Sequence, residues 1–156
     1  MLPEDYTLAN LSHFVGREVG VSRWTLVDQE RINHFAECTG DDQWIHTDPE
    51  RVAREMDGAL PVAHGYLTLS LLPRLRRDMG IYPPEAPTVL NYGIDRVRFL
   101  RPVYAGSHVR VRCKLIEITF PGPNRILMKT SNRMEIQDSK KPALLADTLA
   151  LLLTES

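Results

Sequence analysis

Apolar positions along the chain follow two rhythms. Before the prolines Pro83, Pro84 and Pro87 most segments read as helices; beyond them the pattern alternates with period two, as in strands with one buried face. In the first half, Leu8 to Val15 predicts a short helix stopped at Gly16, and Val21 to Val27 predicts a strand. Asp28 is positioned to cap a helix running through Cys38, with Ile32, Phe35 and Ala36 on one face and Thr39-Gly40 at its end. Asp48-Pro49-Glu50 combines a capping carboxylate, a proline at the first helical position and a first-turn acid, predicting a short helix to about Glu55.

From Gly65, the run Tyr66-Leu67-Thr68-Leu69-Ser70-Leu71-Leu72 is apolar nearly all round, which predicts a central helix buried on most sides. It reads through roughly Met79, kinked by Pro73, with Arg74, Arg76 and Arg77 suiting the negative end of its dipole before Gly80. In the second half, Val97, Phe99 and Val103 fall on one side of a first strand, and Val109, Val111, Cys113 and Leu115 on one side of the next, joined by a turn at Tyr104-Ala105-Gly106-Ser107. The phase changes at Leu115-Ile116, which predicts a bulge. Ile126, Met128, Met134 and Ile136 resume a strand face after Pro121-Gly122-Pro123-Asn124. Ala143 to Leu153 suits helix or strand by composition, and its place after a meander favours a closing strand. One buried helix against several antiparallel strands gives an α+β layer in which the sheet wraps the helix, over a single domain spanning residues 1–156. Open sheet edges invite dimerisation.

Composition narrows the function. A net charge of -1 without a basic block argues against nucleic acid as partner, and no apolar run approaches the ~20 residues that span a bilayer. The start Met1-Leu2-Pro3-Glu4-Asp5 has no basic stretch leading into an apolar one, so cytoplasmic residence is the default expectation. Cys38 and Cys113 lack metal or dithiol spacing and are expected to be buried free thiols.

Candidate chemistry gathers in Gly40-Asp41-Asp42-Gln43-Trp44-Ile45-His46-Thr47-Asp48-Pro49 and the nearby Ala63-His64-Gly65. Asp41 and His46 are too far apart for one helical turn, so they converge only if Asp42 to Ile45 form a loop. Taken singly, each residue has an ordinary reading. Asp41 after Gly40 suits a turn, His64-Gly65 a helix entry, and Ser70 a hydroxyl bonded to its i-4 carbonyl. His13, His34 and His108 have no supporting pattern. Arg96, Arg98 and Arg101 suit either a solvated sheet face or contacts to phosphates.

Together, Phe35 to Asp41, His46 to Arg51, Pro61 to Leu72, Asn91-Tyr92-Gly93 and Val97-Arg98-Phe99 resemble the MaoC-like (R)-specific enoyl-CoA hydratases and their nodulation-protein-N-like relatives, over nearly the whole chain. The resemblance implies a hot-dog fold, a homodimer, and reversible syn hydration of trans-2-enoyl-CoA to (R)-3-hydroxyacyl-CoA, without metal or redox cofactor. Such a reaction suits fatty-acid metabolism or supply of polyhydroxyalkanoate precursors. By matching positions, Asp41 and His46 correspond to the catalytic pair and Gly65 to the backbone donor for the thioester oxygen. Ser70 matches a supporting polar helix position, and Gln43 stands where many members have Asn, next to Trp44 in place of Pro. Met56-Asp57-Gly58-Ala59 replaces a common Phe-Gly pair, which bears on acyl-chain specificity.

Water addition needs a base for the nucleophile and an acid for C2, roles that Asp41 and His46 would divide in an order the sequence leaves open. Three other readings compete: a catalytically idle acyl-CoA-binding subunit, a thioesterase on the same fold, and a two-His, one-carboxylate metal site from His46, Asp48 and His64 or His108.

Overall fold

The computed structural model describes residues 5–154. A 3-10 helix, Leu8–Phe14, comes first and ends before Gly16, whose φ of 88° is the left-handed stop the sequence predicts. The predicted strand Val21 to Val27 is instead two short ones, β1 (Glu18–Val21) and β2 (Thr25–Val27). Ser22 causes the break. Its amide donates to the Val111 carbonyl at 2.9 Å, while its hydroxyl accepts from the Val111 amide at 2.9 Å, so a side chain takes over the ladder's next acceptor.

Helix α1 (Gln29–Thr39) has the Asp28 carboxylate accepting from the Arg31 amide at 2.9 Å, and it stops at Gly40 with φ 76°. The predicted loop from Asp42 to Ile45 is shorter than expected, because a single helical turn, α2 (Trp44–Thr47), begins within it. Arg51 lies 4.4 Å over the Trp44 ring, and the Thr47 hydroxyl donates to the Asp42 carbonyl at 3.1 Å, tightening the segment into that turn. Helix α3 (Pro49–Glu55) comes next, capped by Asp48 as predicted.

The central helix is two pieces, α4 (Gly65–Ser70) and α5 (Leu72–Asp78). Pro73 has no amide to return to the Leu69 carbonyl, so the helical ladder is interrupted there. Burial of this helix is less complete than expected, with Tyr66 and Ser70 exposed in the single chain. Arg76 departs from its expected role at the helix end: it is only 1% exposed, turned inward against the sheet rather than outward to the dipole.

Strands β3 (Thr88–Phe99), β4 (Ser107–Gly122), β5 (Arg125–Ile136) and β6 (Leu144–Leu153) complete an antiparallel sheet in the order β1-β4-β5-β6-β3, with β2 also on β4. The ambiguous last segment is thus a strand. Register slips between Leu115 and Glu117, where the sequence pattern changes phase, and the turn before β4 has Gly106 at φ 87°. The expected common face of Val97, Phe99 and Val103 does not form. Arg96 adopts φ 49° within a register shift between Asp95 and Arg98, which re-aims the end of the strand; Phe99 is left half exposed, and Val103 is buried beyond the end of β3.

Two apolar clusters form the core. One gathers Val27, Ile32, Leu67, Leu72 and Leu75 against Val109, Val111, Met134 and Leu144. The other gathers Tyr6, Leu11, Phe14 and Ile81 against Cys113, Leu115, Met128 and Leu152. Cys113 is buried as expected, whereas Cys38 is exposed near the end of α1. Among the described residues, no helix is long and apolar enough to cross a membrane.

Candidate active site

Loop and helix entry meet at a pair of stacked imidazoles. His46 and His64 have ring centroids 3.8 Å apart with planes inclined by 29°, and Phe35 packs on His64 at 5.0 Å. Backbone carbonyls fix both rings. His46 Nδ1 donates to the Val62 carbonyl at 2.5 Å, and His64 Nε2 donates to the Asp41 carbonyl at 2.8 Å. A carbonyl can only accept, so in the neutral rings His46 presents its lone pair at Nε2 and His64 at Nδ1. His64 Nδ1 is buried and has no partner among the described residues.

The scaffold behind His46 is a mesh of main-chain bonds. Gln29 of α1 donates to the His46 carbonyl at 2.7 Å, the Val62 amide to the Ile45 carbonyl at 3.1 Å, and the Ala63 amide to the Val103 carbonyl at 2.7 Å. Helix α1 is thereby tied to α2, and both α2 and the β3–β4 connection are tied to one strand-like segment just ahead of α4.

Asp41 stands on the solvent side, with its side chain 53% exposed and Oδ2 4.0 Å from His64 Nε2. One donor atom each from Asp41, His46 and His64 lie within 4.8 Å of one another. That spacing suits one shared water, given hydrogen bonds of about 2.8 Å. The same three groups are the described residues whose spacing could hold a metal ion. The set differs from the one the sequence suggests, because Asp48 is occupied in capping α3.

A cavity of about 330 Å³ opens beside the pair, lined by His46, Val62, Ala63, Gly65, Thr68, Phe99, Leu100, Arg101, Pro102 and Val103. Gly65 is at the first position of α4, where a helix amide has no intrahelical acceptor. A Cβ built on Gly65 would lie 3.2 Å from the Phe99 ring, so any side chain here presses on the cavity wall. The Thr68 hydroxyl donates to the Gly65 carbonyl at 2.6 Å.

Other candidate residues lie elsewhere. The Ser70 hydroxyl donates to the Tyr66 carbonyl at 2.7 Å, the back-bond ordinary for a helical serine, and Gln43 is exposed at the start of α2, with no capping bond from its side chain. Of the three arginines, Arg96 pairs with Asp147 at 2.6 Å and Arg98 donates to its neighbouring Val97 carbonyl, leaving Arg101 on the cavity wall. Sequence reasoning reaches His64 only as a helix entry and as a candidate metal ligand, and does not reach Thr68. The His-Gly pair is on view in the sequence, but only the fold stacks that histidine on His46.

Residues 11–135 match the family described as MaoC like domain. The chain belongs to the MaoC-like dehydratase family. Among its MaoC-like relatives, 3-hydroxyacyl-thioester dehydratase Z of Mycobacterium tuberculosis is 40% identical over 143 residues, covering 92% of this chain and 93% of the relative. Nodulation protein N of Rhizobium leguminosarum bv. viciae is 40% identical over 148 residues, covering 95% and 92%. The fold is likewise that of an (R)-hydratase from Pseudomonas aeruginosa, with a TM-score of 0.67 at 22% identity over 90% of this chain and 83% of the other. This MaoC-like chain is therefore a hot-dog protein and a lyase of the hydratase/dehydratase type.

Proposed function

We propose that the protein catalyses reversible (R)-specific hydration of trans-2-enoyl-CoA, with Asp41 and His46 holding the reacting water and the Gly65 amide facing the thioester oxygen. The observation that carries this is the tautomer of His46: its Nδ1 proton is committed to the Val62 carbonyl, which leaves Nε2 to a water that the nearby Asp41 carboxylate can share. Water oxygen bonds to C3 as one of the pair takes its proton, and C2 receives a proton on the same face. Negative charge that builds on the thioester oxygen in between meets an amide at the cavity wall, where a preorganised donor is worth more than in water. Dehydratase Z supports the same chemistry in the reverse sense by its name.

The enzyme acts in this reading as a homodimer. Among the described strands β3 pairs only with β6, and it carries the exposed side chains of Leu90 and Tyr92, an apolar surface suited to a second copy. Gln43 and Ser70 would then act by supporting the site rather than by touching the reacting atoms.

Hydration of crotonyl-CoA and octenoyl-CoA, followed by loss of enoyl absorbance with chiral analysis of the product, tests the proposal. Asp41→Asn should lower turnover by about 10²–10⁴. Turnover unchanged by that substitution would remove the mechanism, and release of free CoA without hydration would establish a thioesterase instead.

A further inference from the structure

Arg76 is a guanidinium buried to 1% exposure that no carboxylate among the described residues neutralises. Its Nη1 donates to the hydroxyls of Thr130, at 3.2 Å, and Thr148, and its charge lies 5.6 Å from the Tyr82 ring centre. Its Nε is buried with no partner among the described residues. Arginine keeps its proton in proteins, and a buried charge without a counter-charge is strongly unfavourable, so hydroxyls and a ring leave this cation under-compensated. Arg76 also lines a cavity of about 210 Å³, with Leu69, Leu72, Asn91, Ile94 and Thr148 around it.

That cavity and the one beside His46 lie on a single stripe of the central helix. Gly65 and Thr68 front the first; Leu69, Leu72, Pro73 and Arg76 front the second, a spacing that keeps all six on one helical face. Strand β3 walls both, with Phe99 at one end and Ile94 at the other. Arg76 comes eleven residues after Gly65, a rise of roughly 16 Å, which its side chain shortens by leaning back toward the helix start. By that rise, an acyl chain of medium length that left a thioester at Gly65 and ran along this stripe would end near the guanidinium.

We infer that the protein accepts acyl thioesters whose far end carries a carboxylate, which Arg76 binds at the end of the cavity between α5 and β3. The inference rests on the proposed seating of the thioester at Gly65. An ω-carboxylate supplies the missing counter-charge and accepts from the donors that Arg76 leaves free, in the forked geometry typical of arginine. A terminal methyl group would instead leave the cation facing hydrocarbon.

Calorimetric binding of two unreactive ligands of equal length, octanoyl-CoA and its ω-carboxyl counterpart suberoyl-CoA, tests this in the wild-type protein. Suberoyl-CoA should bind at least about tenfold more tightly, in line with a charge-assisted hydrogen bond. Equal or tighter binding of octanoyl-CoA overturns the inference, and needs no variant. In Arg76→Met, checked for folding by its melting transition, the preference should vanish or reverse; a variant that folds and keeps it also overturns the assignment. The matching trans-2-enoyl thioesters separate this from the hydratase reading. A carboxylate preference without hydration would sink only the reaction, while hydration without the preference would sink only the role of Arg76.

Discussion

His64 stacks on His46 and, through Nε2, holds the carbonyl of Asp41 at 2.8 Å, so one buried ring braces both members of the candidate pair. Replacing it by Phe keeps the stack and removes the bond to Asp41. His64→Phe is expected to fold and to lose about tenfold to a hundredfold in hydration rate, the scale on which small misplacements of reacting groups act. Steady-state kinetics on crotonyl-CoA with a parallel melting curve would decide it; wild-type turnover in a folded variant contradicts the bracing role.

At Gly65 the space is already taken, since even a methyl carbon would sit 3.2 Å from the Phe99 ring. Gly65→Val should therefore displace the ring and crowd the amide, lowering turnover by on the order of 10²–10³. The readout is single-turnover hydration on protein shown to be folded.

Much of the local structure is legible in the sequence. The caps at Asp28 and Asp48, the Gly40 stop and the bulge after Leu115 can be read because each depends on chemistry within a few residues. Of the candidate site residues, His46 and Gly65 line one cavity, while Asp41 stands close to His46 but off the cavity wall. The features that escape depend on partners distant in the chain. Ser22 splits a strand by bonding Val111, and Arg76 turns inward toward Thr130 and Thr148, so neither local propensity nor dipole arguments reveal their settings.

Tyr92 is 64% exposed on the free edge of β3. Tyr92→Asp should shift the protein from dimer to monomer, because a charge at the centre of an apolar pairing edge would be buried without a partner. Sedimentation velocity reads this directly. A wild-type monomer, or a variant that still dimerises fully, would refute the edge as the interface.

Glu135 joins Arg110 and Arg112 at 2.7 and 2.8 Å. Burial pushes its carboxyl up, but the hydrogen bonds from the two arginines outweigh that and hold it below its ordinary value of 4.5. A carboxyl depressed by folding stabilises the native state above its unfolded pKa and loses that contribution as pH falls through the folded one. Wild-type protein should thus be more stable than Glu135→Gln at neutral pH, with the gap in melting temperature closing as pH drops below 4.5. A gap that is constant or widens with acid would contradict this.

The two thiols should differ in reactivity. Burial pushes Cys113 up to about 11, leaving it a neutral thiol at physiological pH, while Cys38 is exposed. A thiol-specific chromogenic reagent is expected to label Cys38 alone in native protein and both after denaturation. Rapid native labelling of Cys113 would show that its surroundings open readily.

Strand β4 carries Val109 and Val111 into one apolar cluster, and Cys113 and Leu115 into the other. Strands β5 and β6 do the same, with Met134 and Leu144 in the first cluster and Met128 and Leu152 in the second, so the sheet joins the end holding the candidate site to the end fastened by Leu11 and Phe14. Because Leu11 and Phe14 pack into the second cluster, loosening the amino-terminal segment should admit solvent to that half of the interior first, so damage there would shorten the protein's lifetime sooner than it slowed turnover.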